Sequence, residues 1–108
     1  DISESLLHYA TDLVRATRPD NQSHEQVDKY VRWGAGPRAG QAVILCAKAL
    51  ALLNRRFAVT SDDIQAIAAP ALRHRILLNF EAEADGVTSD DIVGAILSSL
   101  SVAAPALR

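Results

Sequence analysis

The sequence predicts an all-α fold, a small bundle of four to five helices with room for one very short strand pair. Nearly half of the 108 residues are apolar, and Ala, Leu, Ile and Val supply most of them. Apolar residues recur at helical spacing in several segments, and helix-start signals precede these segments. A chain of this length typically holds one core, so we expect residues 1–108 to form a single domain.

The first helix is predicted over residues 3–17. Asp1 and Glu4 stand three residues apart, as an N-cap and its reciprocal partner do, and apolar residues then follow at helical spacing. Pro19 and the polar residues after it end this helix. The stretch that follows has no sustained period, so we expect a surface loop with one short turn or extended piece at about residues 27–33.

The second helix is predicted over residues 37–54, with Pro37 at the first position, where its missing N–H is not needed. Gln41, Lys48 and Arg55 stand seven residues apart, so they form one narrow polar stripe on an otherwise apolar helix. A helix that is apolar nearly all round is typical of a central element surrounded by others. We therefore expect this helix to be the core of the domain.

The six-residue sequence VTSDDI occurs at residues 59–64 and again at residues 87–92. In each copy the Thr is a good N-cap, the second Asp occupies the capping-box position, and both acids favour the positive helix end. We interpret both copies as helix starts rather than metal ligands, since adjacent Asp residues in a capped first turn face different ways. No metal site is predicted anywhere in the chain.

These two helix starts determine the helices that we predict for the second half of the chain. The third helix is predicted over residues 61–69, where Pro70 breaks or kinks it, and residues 71–78 are expected to continue as a further helical segment. We expect residues 79–86 to form an acidic connection and residues 89–100 to form the last helix.

Charge and hydropathy exclude several classes of function. The net charge of −2 gives no support for binding nucleic acid or an acidic membrane. The longest apolar stretch, residues 42–53, is too short to span a bilayer, and no signal segment opens the chain, so we expect a cytoplasmic protein without membrane insertion. The single Cys46 is expected to be a small buried hydrophobe in a reducing compartment.

The two ends of the sequence suggest a piece of a longer protein. The chain starts with Asp1 rather than Met and opens directly on a helix-start signal, so we expect it to be a fragment. Residues 101–108 are rich in small residues and contain Pro105, and we expect them to form a frayed tail.

The segment from Gly34 to Gly40, GAGPRAG, is the part of the chain that suggests chemistry. It places Arg38 in the first turn of the second helix, where the helix dipole makes a cation unfavourable by about a few tenths of a kcal/mol unless an anion faces it. A phosphate is the natural anion, and the alternative is a solvated arginine at a helix end. Trp33, just before this segment, is interpreted as an anchor of the loop rather than as a base-stacking residue.

Two better-known phosphate motifs do not account for this segment. Gly34, Gly36 and Ala39 satisfy the dinucleotide pattern G-x-G-x-x-A, but no apolar strand precedes it, and Asn54 stands where an acid is needed. The sequence also contains no G-x-x-x-x-G-K-[ST]. The chain therefore cannot by itself bind and cleave a nucleoside triphosphate in the manner of a P-loop enzyme.

A second candidate site is the basic cluster of Arg73, His74 and Arg75, which precedes an apolar Ile-Leu-Leu sequence. Its cations can offset the dipole of a helix end while the apolar neighbours enter the core. Alternatively, the cluster contacts an acidic surface of a partner or of another domain. Both interpretations stay open at the level of sequence.

Taken together, these segments resemble the C-terminal lid domain of the MoxR group of AAA+ ATPases over nearly the whole chain. The resemblance rests on YATDLVRATR at residues 9–18, GAGPRA at 34–39, VTSDDI at 59–64 and PALRHRILLNF at 70–80. The family usually has Ser at the position of Gly36, so a capping hydroxyl is lost here, although Gly is an acceptable N-cap.

The resemblance implies a helical lid that follows an ATP-binding core domain, which this chain lacks. Arg38, supported by Gly34, Gly36 and Pro37, would match the sensor 2 arginine, which reaches the phosphates of a nucleotide held by the core. The full-length protein would then be an ATPase with ATP and Mg as cofactors, whereas this fragment would have no catalytic residue and no cofactor of its own.

The same resemblance implies ring-shaped oligomers, often hexamers, in which the lid contacts its own core domain and neighbouring subunits. It also implies chaperone-like remodelling together with von Willebrand factor A domain proteins. The alternative hypothesis is a free-standing helical interaction module with no nucleotide role, in which Arg38 is an ordinary surface residue.

Overall fold

A computed structural model of the chain describes residues 2–19, 24–36 and 38–100. Within these ranges it contains six helices and two short strands. In chain order they are α1 (Glu4–Ala16), α2 (Glu25–Tyr30), β1 (Val31–Trp33), α3 (Ala39–Leu53), α4 (Ser61–Leu72), β2 (Leu77–Leu78), α5 (Phe80–Asp85) and α6 (Ser89–Ser99). The predicted small helical fold with one very short strand pair is confirmed, with the short helices α2 and α5 in segments predicted as loop and connection.

Side-chain caps determine where α1, α4 and α6 begin, whereas α3 has no side-chain cap. The Ser3 hydroxyl accepts a hydrogen bond from the Leu6 N–H at 3.2 Å and caps α1, whereas the predicted cap, Asp1, lies outside the described residues. Thr60 and Thr88 start α4 and α6 with complete capping boxes. The interpretation of both VTSDDI copies as helix starts is confirmed.

The segment after α4 departs from the prediction of a further helix over residues 71–78. Helix α4 runs through Pro70 to Leu72, and the chain then turns and becomes extended in β2. Strand β2 pairs antiparallel with β1, with Val31 opposite Leu78. The prediction is wrong because strand β2 forms by pairing with a segment far away in the sequence. The local spacing of apolar residues does not indicate such a pairing.

Asn79 ties the strand pair to the two short helices. Its backbone N–H donates to the Tyr30 carbonyl at 2.8 Å, and its side-chain amide donates to the Lys29 carbonyl at 2.7 Å. Its side-chain oxygen accepts from the Ala82 N–H at 3.0 Å and so caps α5. The hydroxyl of Tyr30 adds a hydrogen bond to Asp85 at 2.8 Å. A single asparagine thus joins α2 and α5.

The core lies where α3 and α4 pack together, with α1 against α3 and α6 against α4. The largest fully buried apolar side chains are Leu13, Val27, Val43, Ile64, Leu72, Ile92, Val93 and Ile96. Among the residues described above, no helix is both long enough and apolar enough to cross a lipid bilayer.

Helix α3 is not the central, fully surrounded helix that its apolar sequence predicted. It buries one face, formed by residues at a spacing of four: Ala39, Val43, Ala47 and Ala51. Leu45, Leu52 and Leu53 are exposed, Leu53 by 80%, and Cys46 is exposed too, so its predicted burial is wrong. Small residues let α4 and α1 approach one side of α3 closely, and no described element covers the other side.

Candidate functional site

The loop between β1 and α3 lies against the end of α1. The Thr17 hydroxyl donates to the Val14 carbonyl at 2.6 Å and accepts from the Ala35 N–H at 2.8 Å. The Nε of Arg18 donates to the Ala35 carbonyl at 3.2 Å. Thr17 and Ala35 are fully buried. Both backbone polar groups of Ala35 are thus satisfied by Thr17 and Arg18, the two residues that follow α1, and these contacts hold the loop in place.

Gly34 is required by the close approach of this loop to α1. A Cβ atom at this position would lie 2.6 Å from the Thr17 carbonyl oxygen and 2.8 Å from the Arg18 Cα, both backbone atoms. A Cβ atom at Gly36 would meet no atom within 4 Å. Gly34 is therefore needed for close packing of the loop against the end of α1. Gly36 is not needed for packing, and the side chain of the family's usual Ser would fit at this position.

Arg38 lies at the N-cap position of α3 and is exposed. Its backbone carbonyl accepts from the Ala42 N–H at 3.2 Å, and the first turn of α3 contains no acid. In residues 2–19, 24–36 and 38–100, no hydrogen bond or ion pair involves its guanidinium group. The structure therefore places an uncompensated cation at a positive helix end. Pro37 lies outside the described residues.

Arg75 lines the same open pocket as Arg38, together with Gly36 and Ala39. It follows α4, and its Nη1 donates to the Ala71 carbonyl at 2.8 Å. The backbone N–H of Arg75 donates to the Leu72 carbonyl at 2.9 Å. The structure thus brings the end of α4 to the start of α3 and places two arginines from distant parts of the sequence beside one pocket.

Arg73 and His74 are arranged differently from Arg75. Both Nε and Nη2 of Arg73 donate to the Asp90 carboxylate at 3.0 Å, which ties the end of α4 to the first turn of α6. The hydrogen bonds from Arg73 lower the pKa of the Asp90 carboxyl group. His74 is exposed. The basic cluster is therefore split, and contact of its members with a partner or another domain stays a prediction.

A second pocket adjoins the first one at Gly36. It is lined by Arg18, Pro19, Arg32 and Trp33 and by the backbone of the glycine loop. The indole of Trp33 is 64% exposed, so it does not anchor the loop by burial, and Thr17 does so instead. No cluster of three or more His, Cys, Asp or Glu side chains able to hold a metal ion occurs in the described part of the chain.

Thr17 is the residue of this site that sequence reasoning missed. It appears in the sequence as the last member of the periodic apolar face of α1, after Leu13 and Val14. A polar residue at the end of such a face is a signal for a buried hydroxyl with a partner. The partner itself cannot be read locally, because Ala35 approaches only in the folded chain.

The small helical fold with its short strand pair and the arginine at the start of α3 indicate a lid-type domain. The family model of the AAA lid domain matches residues 23–96, and the chain belongs to this family. The resemblance to the lid of MoxR-type AAA+ ATPases is confirmed.

Named relatives agree with this assignment. The chain is 30% identical to the chaperone MoxR1 of Mycobacterium tuberculosis, over 94% of this chain and 27% of that protein. It is 33% identical to the protein MoxR of Paracoccus denitrificans, over 71% of this chain and 24% of that protein. The chain thus spans about a quarter of the length of these curated relatives.

A solved structure shares the fold. The crystal structure of a provisionally assigned ATPase from Cytophaga hutchinsonii superimposes with a TM-score of 0.88 at 40% sequence identity. The match covers 95% of this chain and 32% of that chain. The similar region is therefore one part of a larger protein in that case too.

Proposed function

We propose that this chain is the nucleotide-sensing lid of a MoxR-like AAA+ ATPase, with Arg38 as its sensor 2 residue. The observation that supports this role is an exposed arginine at a positive helix end, after a loop that is hydrogen-bonded to Thr17, with no carboxylate partner in the described residues. A phosphate of a nucleotide bound by a core domain would supply the missing negative charge.

Gain and loss of this contact would couple nucleotide state to lid position. A hydrogen bond to a charged group contributes about 1.5–3 kcal/mol, which can bias two lid orientations by about ten- to a hundredfold. ATP and Mg would be bound mainly by the core domain, because this chain has no P-loop motif. Coupled in this way, ATP binding and hydrolysis on the core would drive chaperone-like remodelling of partner proteins.

Further partners belong to the same proposal. The outer face of α3 and the segment after it expose Leu45, Leu52, Leu53 and Phe57. Leu52 and Phe57 line one open pocket, and exposed apolar surface of this kind marks an interaction site. We infer that this face packs against the chain's own core domain or a neighbouring subunit of a ring, such as a hexamer. Cooperation with von Willebrand factor A domain proteins in the cytoplasm completes the proposed function.

The test of the sensor role is Arg38→Ala in the full-length ATPase. We expect a large loss of ATP turnover, at least tenfold, with the helical content of the lid unchanged by circular dichroism. Lys29→Gln is the matched control, because it removes one exposed positive charge from α2, where the ammonium group lies over the ring of Tyr30 and does not line the pocket of Arg38. Unchanged turnover in Arg38→Ala would favour the alternative, a helical interaction module without a nucleotide role.

The isolated chain gives an independent test. One arginine at a helix end cannot replace a phosphate-binding loop, so we expect ATP to bind this chain no more tightly than about millimolar. Isothermal titration calorimetry measures this directly. Micromolar affinity would show that the chain forms an autonomous nucleotide site, contrary to its role as a lid.

A further inference from the structure

We propose that Arg75 is a second phosphate ligand, so that the pocket at the start of α3 is a two-arginine anion site. This inference rests on the proposed function for the identity of the anion, the terminal phosphates of a nucleotide. The pocket is open, has a volume of about 490 Å³, and is lined by Gly36, Arg38, Ala39 and Arg75. None of these four residues is acidic.

Carboxylate partners distinguish these two arginines from two others in the domain. Arg56 pairs with Asp63, and Arg73 pairs with Asp90, each through two hydrogen bonds. Across the described ranges, neither Arg38 nor Arg75 forms an ion pair with a carboxylate. Within the described residues, the positive charge of the two arginines at this pocket is therefore not offset by an ion pair.

The local field at the pocket favours an anion. Two guanidinium groups repel each other, and the N-terminus of α3 adds about half a positive charge to the same place. No acid in the first turn of α3 offsets this charge. An anion that enters the pocket interacts favourably with all three sources of positive potential, and a triphosphate carries enough negative charge to meet them together.

Arg75 is held in a way that leaves donors free for a ligand. Its Nη1 donates to the Ala71 carbonyl at 2.8 Å, which orients the guanidinium group at the end of α4. A guanidinium group has five N–H donors, so most of them remain available, and its planar fork matches phosphate oxygens. Arg38 comes from the start of α3, so one phosphate group bound by both arginines would connect α3 to α4.

The competing explanation is that Arg75 only satisfies a carbonyl at the C-terminal end of α4. The two roles differ in what they predict for an anion. A helix-capping arginine affects stability alone, whereas a phosphate ligand responds to the anion directly and changes its affinity.

The direct experiment is a titration of the ¹⁵N-labelled chain with inorganic triphosphate at constant ionic strength, followed on the arginine Nε–H signals. We expect the signals of Arg38 and Arg75 to shift along one binding curve. Arg75→Ala should weaken the apparent affinity about tenfold, the factor that one charge-assisted hydrogen bond contributes. Arg75→Lys should recover part of this loss, and Lys29→Gln should stay within about twofold of the unmodified chain.

The outcomes separate this inference from the proposed function. If Arg38→Ala weakens triphosphate binding and Arg75→Ala does not, Arg75 is a helix cap only and the sensor role of Arg38 stands. If neither variant alters triphosphate binding by this chain or ATP turnover by the full-length protein, both proposals are wrong. Loss of thermal stability in Arg75→Ala without a change in triphosphate affinity would also contradict the second-ligand role.

Discussion

The hydroxyl of Thr17 accepts a hydrogen bond from the N–H of Ala35 at 2.8 Å, and both residues are fully buried. The same hydroxyl donates to the Val14 carbonyl, so its hydrogen-bonding direction is determined by α1. Through this contact the end of α1 holds the loop that carries Arg38. The position of the candidate phosphate contact therefore depends on a residue that does not touch the pocket of Arg38 and Arg75.

Thr17→Val tests this relationship, because it preserves the shape of the side chain and removes the hydroxyl. We expect the free energy of unfolding, measured by urea denaturation, to fall by about 1–3 kcal/mol, since the buried Ala35 N–H loses its partner. Thr11→Val is the matched control on the same helix, where an exposed hydroxyl donates to the Leu7 carbonyl. Thr11→Val should change the free energy of unfolding by less than about 0.5 kcal/mol. Equal effects at the two positions would contradict the role of Thr17 in holding the loop.

Gly34→Ala tests the close approach of the loop to α1. Its Cβ would lie within 2.8 Å of backbone atoms of Thr17 and Arg18, which cannot move aside as a flexible side chain can. We expect a loss of about 1–3 kcal/mol in the free energy of unfolding. Gly36→Ala places a methyl group in open space and should stay within about 0.5 kcal/mol of the unmodified chain. Thermal unfolding of the pair would show whether only the first glycine is required.

Asp63 predicts a pH dependence of stability. The pKa of the Asp63 carboxyl group is lowered to about 2. The largest cause of this shift is the hydrogen bonding from Arg56, and the hydrogen bonds from Thr60 lower the pKa further. Because this folded-state pKa lies below the unfolded value, Asp63 adds stability above about pH 4, and this contribution is lost as the pH falls towards 2. Arg56 is 39% exposed, so solvent screening reduces the contribution to about 1–2 kcal/mol.

The two copies of VTSDDI supply the variants for this measurement. Asp63→Asn should lower the free energy of unfolding by about 1–2 kcal/mol at pH 7 and by much less near pH 2, where Asp63 is about half protonated in the folded chain and almost fully protonated in the unfolded chain. Asp91→Asn alters the equivalent capping residue, which is exposed and accepts no hydrogen bond from an arginine in the described residues. It should cost less than about 1 kcal/mol. Urea denaturation across this pH range checks both, and a constant difference for Asp63→Asn would refute the linkage.

Arg55→Gly should stabilise the domain. Arg55 lies two residues after the end of α3 in the left-handed conformation, at φ 61°, and the next residue, Arg56, donates its backbone N–H to the Ala51 carbonyl at 2.8 Å. A side chain in this conformation is strained, and glycine is not, so we expect a gain of about 0.5–1 kcal/mol in urea denaturation. Asn54→Gly, one residue earlier at φ −94°, relieves no such strain and should be neutral or destabilising.

Helix α3 shows why part of the fold could not be predicted. Its sequence is apolar on almost every side, and burial of Cys46 followed from that pattern. Which face is buried depends on where α1 and α4 pack, and only the face of Val43 and Ala47 meets them. The opposite face is apolar but exposed in the described structure. The apolar composition therefore predicted the helix, but it did not show which of its faces the domain buries.

Local sequence is enough to specify the helix starts at Thr60 and Thr88 and the position of Arg38 before α3, because caps and helix dipoles act within a few residues. Three other features arise only in the folded chain: the pairing of β1 with β2, the hydrogen bond between Thr17 and Ala35, and the position of Arg75 beside the pocket of Arg38. Each of these depends on contacts between residues far apart in the chain. Such contacts form only when the whole core packs, so local patterns do not encode them separately.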